Sequence, residues 1–111
     1  MAAKKADTLR GTLDLMILRT LALAPMHGFG IAQRIVQISD GTIDASPGSV
    51  FPALYRLEQK GWIRGEWGVS ENGRRARFYT LTARGRRQMQ VERRNWDRVA
   101  LAMQKILKAT S

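Results

Sequence analysis

The chain has 111 residues, with 19 Lys or Arg against 9 Asp or Glu, one His and no Cys, giving a formal charge of +10 and a pI near 11.3. No cysteine means no disulfide framework, no thiol nucleophile and no thiolate zinc site, and a single His27 cannot build a clustered imidazole site. With 44% apolar residues the chain has material for one small core, which argues against disorder throughout.

Residues 1–8 are small and polar around Lys4 and Lys5 and are predicted to form a flexible basic arm. From Leu9 a helix is predicted, with Leu13, Met16, Ile17, Thr20 and Leu21 as its apolar stripe. Leu15 and Leu18 fall off that stripe and suggest burial against another subunit. The longest apolar stretch, Leu13 to Ala24, is interrupted by Asp14 and Arg19, so neither a secretory nor a membrane-spanning segment is expected, and the protein reads as cytoplasmic. Ala24 to Gly28 is a stop and turn, in which His27 reads as a capping or packing residue. Ile31, Ala32, Ile35 and Ile38 form the inner face of a second helix ending near Ser39-Asp40-Gly41.

Thr42 to Ala45 is short and partly β-branched, enough for a one-pair strand. A third helix opens at Ser46 as N-cap with Pro47 at its first position, turns Val50, Leu54 and Leu57 inward, and closes at Lys60-Gly61. Pro52 inside it predicts a locally irregular start, because its missing N–H would have bonded Gly48. Trp62 to Trp67 and Ala76 to Leu81 read as two strands joined by Asn72-Gly73, a tight turn with both residues at positive φ and Trp67 opposite Phe78. Thr82 caps a last helix running to about Lys108. On it Met89, Trp96 and Met103 are seven apart with Val99 and Ile106 between, a short coiled-coil-like seam interrupted by Glu92. Packing on a second copy of the chain is the simplest use of that seam, with intramolecular core as the alternative.

Between Arg74 and Arg98 lie nine arginines and only two acids, Glu92 and Asp97. Part of this charge, Arg74, Arg75 and Arg77, lies on a turn and strand rather than on a helix with a continuous apolar face, so nucleic acid fits better than a membrane surface. Three helices followed by a hairpin with a basic tip are the parts of a winged helix-turn-helix: a mostly α fold with a small β-hairpin and a long C-terminal dimerisation helix. In that frame residues 1–8 are the arm, 9–82 the DNA-binding domain and 83–111 the dimerisation helix. Gly48 and Ser49 would let the third helix approach a groove, and Gly73, Arg74, Arg75 and Arg77 would anchor phosphates or enter a narrow minor groove. Arg56 reads equally as a phosphate contact or a solvated surface charge. The candidate DNA-binding set is Lys4, Lys5, Arg10, Ser46, Gly48, Ser49, Phe51, Arg56, Asn72, Gly73, Arg74, Arg75 and Arg77. Ser46 and Ser49 have no neighbouring base in the sequence, so nucleophilic catalysis has no support, and neither enzyme activity, cofactor nor metal is expected.

The run Pro47 to Glu58 (PGSVFPALYRLE), then Gly61-Trp62-Ile63, Gly73 to Tyr79 (GRRARFY) and Leu81 to Gly85 (LTARG) resemble the PadR family of bacterial transcriptional regulators, over about Leu9 to Val99. The resemblance implies a winged helix with a C-terminal dimerisation helix, in the compact subfamily that has only one such helix. It also implies repression at a palindromic DNA operator, relieved by a small molecule. In multidrug-responsive members a tryptophan on the last helix faces its dimer mate and stacks flat aromatic ligands. Trp96 falls on that position, with Leu15, Leu18 and Val99 near it, although a seam anchor alone would also explain a tryptophan there. The seam and effector set is therefore Leu15, Leu18, Met89, Glu92, Arg93, Trp96, Val99, Met103 and Ile106. Two departures stand out: Glu92 and Arg93 occupy places where small and aromatic residues would line the slot, and Phe51 replaces a common tyrosine. A winged-helix protein-interaction adaptor and a nonspecific nucleoid-binding protein are the competing readings.

Overall fold

The computed structural model describes residues 2–110, with side-chain surroundings from residue 12 onward. The described residues form four helices and a small antiparallel sheet: α1 Ala2–Leu23, β1 Met26–His27, α2 Gly28–Ile38, α3 Pro47–Gln59, β2 Ile63–Val69, β3 Arg75–Leu81 and α4 Ala83–Lys108. The strand order is β1-β3-β2, the arrangement of a winged helix with α4 appended.

Local signals set the element ends. The Ser46 side chain accepts from Ser49 N–H at the start of α3, and Gly61 beyond its C-cap Lys60 has φ +76°. The Thr82 hydroxyl accepts from Gly85 N–H and opens α4. His27 is the N-cap of α2: its Nδ1 accepts from Gly30 N–H at 3.0 Å, and its ring meets Phe78 edge-on. The capping and packing role expected for the lone histidine is the one it has.

α1 begins at Ala2, so the helix takes in the segment read as an arm, whose Ala and Lys residues are strong helix formers. Of its predicted stripe, Ile17, Thr20 and Leu21 are buried and Leu13 and Met16 half-buried, while Asp14 and Leu18 complete the i, i+3, i+4, i+7 face with Ile17 and Leu21. Asp14 escaped the hydrophobic pattern because it is a carboxylate. Leu18, predicted for an intersubunit seam, is fully buried inside its own domain.

Around that stripe the core gathers Ile31, Ala32 and Ile35 from α2, Val50, Ala53, Leu54 and Leu57 from α3, and Ile63, Tyr79 and Leu81 from the sheet. Ile38, expected inward, is 54% exposed because α2 ends there. α3 is continuous through Pro52: the bond it forfeits is to Gly48 in the exposed first turn, so no irregular start appears. Thr42 to Ala45 form no strand. Met26 and His27, read as part of a turn, instead pair with Tyr79 and Phe78 and make the third strand.

The hairpin turns differently from expectation. Gly73 N–H donates to Ser70 O at 2.9 Å, Ser70 N–H donates to Arg74 O at 2.7 Å, and only Gly73, at φ +74°, takes the left-handed conformation. This is a three-residue loop with a glycine bulge rather than a two-residue turn. Register slips by one residue, and Trp67 faces Arg77 instead of Phe78.

Candidate nucleic-acid interface

The first turns of α3 put Ser46, Pro47, Gly48, Ser49, Phe51 and Pro52 at the surface, because Val50, Ala53, Leu54 and Leu57 occupy its inward face. The Ser46 hydroxyl also donates to the Ser49 hydroxyl at 3.3 Å, fixing the cap as a unit. Phe51, 39% exposed, lies on α2, where Gly28 leaves room for it: a Cβ at Gly28 would stand 2.6 Å from the Phe51 ring. Its ring meets that of Phe29, itself 63% exposed, at 5.2 Å between centroids. One turn beyond Phe51 is Tyr55, 69% exposed. The sequence reading missed both Tyr55 and Phe29. The i, i+4 spacing of Tyr55 from Phe51, away from Leu54 and Leu57, was the available signal for Tyr55.

Two arginines of the predicted set are committed elsewhere. An Arg56 Nη donates to Asp14 Oδ1 at 2.6 Å, joining α3 to α1. Arg56 therefore serves as the counter-ion of a carboxylate whose side chain is only 5% exposed, a role neither alternative foresaw. Burial pushes the Asp14 carboxyl above its ordinary value, against the opposing pull of Arg56 and Lys60. Arg77 donates to Glu58 of α3 and lies flat over Gly65, where a Cβ would stand 2.5 Å from its Nε. It fastens the wing to α3. The slipped register made this pairing, and sequence alone put Arg77 among the phosphate anchors.

At the wing tip Asn72, Gly73, Arg74 and Arg75 are exposed. The Arg75 guanidinium stacks over Trp67 at 4.6 Å, which holds one cation out on the wing face, in no ion pair among the described residues. Lys4, Lys5 and Arg10 lie outside the residues whose side chains are described.

The predicted seam divides into two parts. Leu15 and Met89 are half-buried, and Met89 packs on the domain core. Glu92 accepts from Gln88 at 2.9 Å, and Arg93 is exposed. Beyond them Trp96 (45%), Val99 (37%), Met103 (51%) and Ile106 (68%) form an exposed apolar line along a 26-residue helix. A cleft of about 380 Å³ lies between α2 and the wing, bordered by His27, Arg34, Glu71 and Phe78, and none of the seam residues lines it.

Among the described residues no group of His, Asp or Glu is placed to hold a metal ion, and no helix is long and apolar enough to cross a membrane. The model of the PadR-like family of transcriptional regulators matches residues 17–91. A transcriptional regulator of Mycobacterium tuberculosis is 33% identical over 91 residues, covering 82% of this chain and 81% of the relative. A transcriptional regulator from Clostridium thermocellum superposes with a TM-score of 0.81 at 25% identity, over 92% of this chain and 96% of that one. The fold of a PadR-like regulator from Bacillus cereus matches with a TM-score of 0.74 at 22% identity, over 94% and 99% of the two chains.

Proposed function

The chain belongs to the PadR-like family of transcriptional regulators, DNA-binding proteins that are not enzymes, and on that premise we propose that it is a homodimeric repressor of a palindromic operator, released by a small aromatic ligand. The observation that carries the dimer is the exposed line Trp96, Val99, Met103 and Ile106, on a helix whose residues 93–110 are exposed apart from Ala100. An apolar stripe at heptad spacing is covered most economically by the same stripe of a second copy. In this reading residues 9–82 bind DNA and 83–111 join the protomers.

Each α3 enters a major groove through Ser46, Gly48, Ser49 and Phe51, while Arg74 and Arg75, with Asn72 and Gly73 shaping the loop, contact the phosphates. A ligand held beside Trp96 changes the angle between the two winged domains, and with it the spacing of the two α3 helices. Operator affinity falls by the ligand's differential affinity for the two states. Glu92 and Arg93 border that slot and make it more polar than a purely aromatic one.

The test is selection of binding sites from random duplex DNA at near-physiological salt, with light scattering on the free protein. A two-fold palindrome and a dimeric mass are expected. Binding without enrichment would instead identify a nonspecific nucleoid protein, and no binding an adaptor for other proteins. For the ligand, quenching of tryptophan fluorescence by a planar aromatic dye should shrink in Trp96→Phe. Undiminished quenching would remove Trp96 from the slot.

A further inference from the structure

The exposed face of α3 lacks the side chains that usually read base edges. Bidentate recognition of guanine or adenine needs Arg, Lys, Asn or Gln on the helix that enters the groove. α3 has one arginine and one acid, and both are engaged: Arg56 with buried Asp14, Glu58 with Arg77. Its one amide, Gln59, is the last residue of the helix, beyond the turns that open it. The opening turns offer two hydroxyls bonded to each other and Phe51, whose ring pairs with Phe29 of α2, with the exposed Tyr55 one turn further on.

Phe29 and Phe51 are locked edge to face, and Phe51 is seated on Gly28, so the surface is rigid without being buried. Phe51 shares the start of α3 with Ser46 and Ser49, and Arg74 and Arg75 of the wing, in no ion pair among the described residues, supply the charge that draws this domain to a polyanion. Among the features of the major groove, one is apolar: the 5-methyl group of thymine.

We propose that this chain selects its operator through thymine methyl groups seated against the Phe51–Phe29 pair, with Tyr55 closing the far side. The inference rests on the DNA-binding reading above and names the base chemistry that reading leaves open. Sequence preference then comes from burying methyl groups on a fixed aromatic surface, and the wing supplies affinity without sequence.

The experiment replaces thymine by deoxyuridine, position by position, in a duplex chosen by the site selection, and reads affinity by fluorescence anisotropy. Deoxyuridine pairs as thymine does and lacks only the methyl. Loss of one buried methyl is worth about fourfold in affinity, so one substitution in each half-site of a palindrome should weaken binding roughly fifteenfold. In Phe51→Ala and Phe29→Ala the thymine and deoxyuridine duplexes should bind alike, both weakly, with the salt dependence of binding retained. Circular dichroism checks the fold, and Phe29, the more exposed of the two, gives the variant least able to disturb it. Selective binding by the wild type that ignores deoxyuridine at every position would overturn the proposal alone. A deoxyuridine penalty that persists undiminished in both variants would overturn it as well. Failure to select any sequence would overturn both this proposal and the operator-specific reading it rests on.

Discussion

Replacing Arg56 by methionine keeps the side chain's length and removes the only charge-bearing donor hydrogen-bonded to Asp14 among the described residues. The carboxylate then loses its hydrogen-bonded counter-ion at a site where its side chain is 5% exposed. Breaking a fully buried ion pair by removing one partner costs about 3–5 kcal/mol. Arg56 itself is 29% exposed, so water reaches the pair from one side, and about 2–3 kcal/mol is the appropriate expectation. For a domain of this size that lowers Tm by roughly 10–20 °C.

The pH dependence is the sharper signature. Burial already raises the Asp14 carboxyl above its ordinary 3.8, so the folded chain holds that proton more tightly than the unfolded one. Stability from this group is complete below the unfolded value and is lost as pH climbs through the folded value. Losing Arg56 raises the folded value further and widens the window upward. Thermal unfolding followed by circular dichroism between pH 4 and 8 should therefore find Arg56→Met close to wild type at the acid end and progressively weaker toward neutrality. The double variant Asp14→Leu with Arg56→Met should recover most of the loss, because an apolar pair leaves no orphaned charge. A penalty below about 0.5 kcal/mol, or one that does not change with pH, would refute the assignment of Asp14 and Arg56 as an interior pair.

Gly85→Ala should cost about 3 kcal/mol or more, read as a lower urea midpoint, because its Cβ would overlap the Trp62 carbonyl oxygen. Arg74→Ala with Arg75→Ala should reduce the slope of log affinity against log salt by about 2, one for each phosphate no longer neutralised, leaving the circular dichroism spectrum unchanged; an unaltered slope would take the wing off the backbone. For the dimer proposed through α4, Val99→Glu should raise the concentration needed for association by about a hundredfold in light scattering, since two carboxylates would face each other across the proposed seam. A dimer indifferent to that change would place the subunit contact elsewhere.

Much of the candidate interface is legible in the sequence. Ser46-Pro47 marks the start of α3, Gly61 its end and Thr82 the start of α4, because caps and glycine conformations are decided within a turn of the chain. The hairpin was legible for the same reason, from Gly73, but its register was not. A single-residue difference in loop length reverses which side chains face each other across the strands, and here it put Arg77 beside Trp67 and within reach of Glu58.

Sequence by itself determined a small basic winged helix: hydrophobic period and turn chemistry are local, and they agree along most of the chain. Tertiary structure alone decided which charges are free to meet DNA. Asp14 and Arg56 are 42 residues apart, Glu58 and Arg77 19 apart, and no local pattern registers partners at such separations. An arginine looks the same in sequence whether it waits for a phosphate or already holds a carboxylate, and only packing, which desolvates one partner and aims the other at it, separates Arg74 and Arg75 from Arg56 and Arg77.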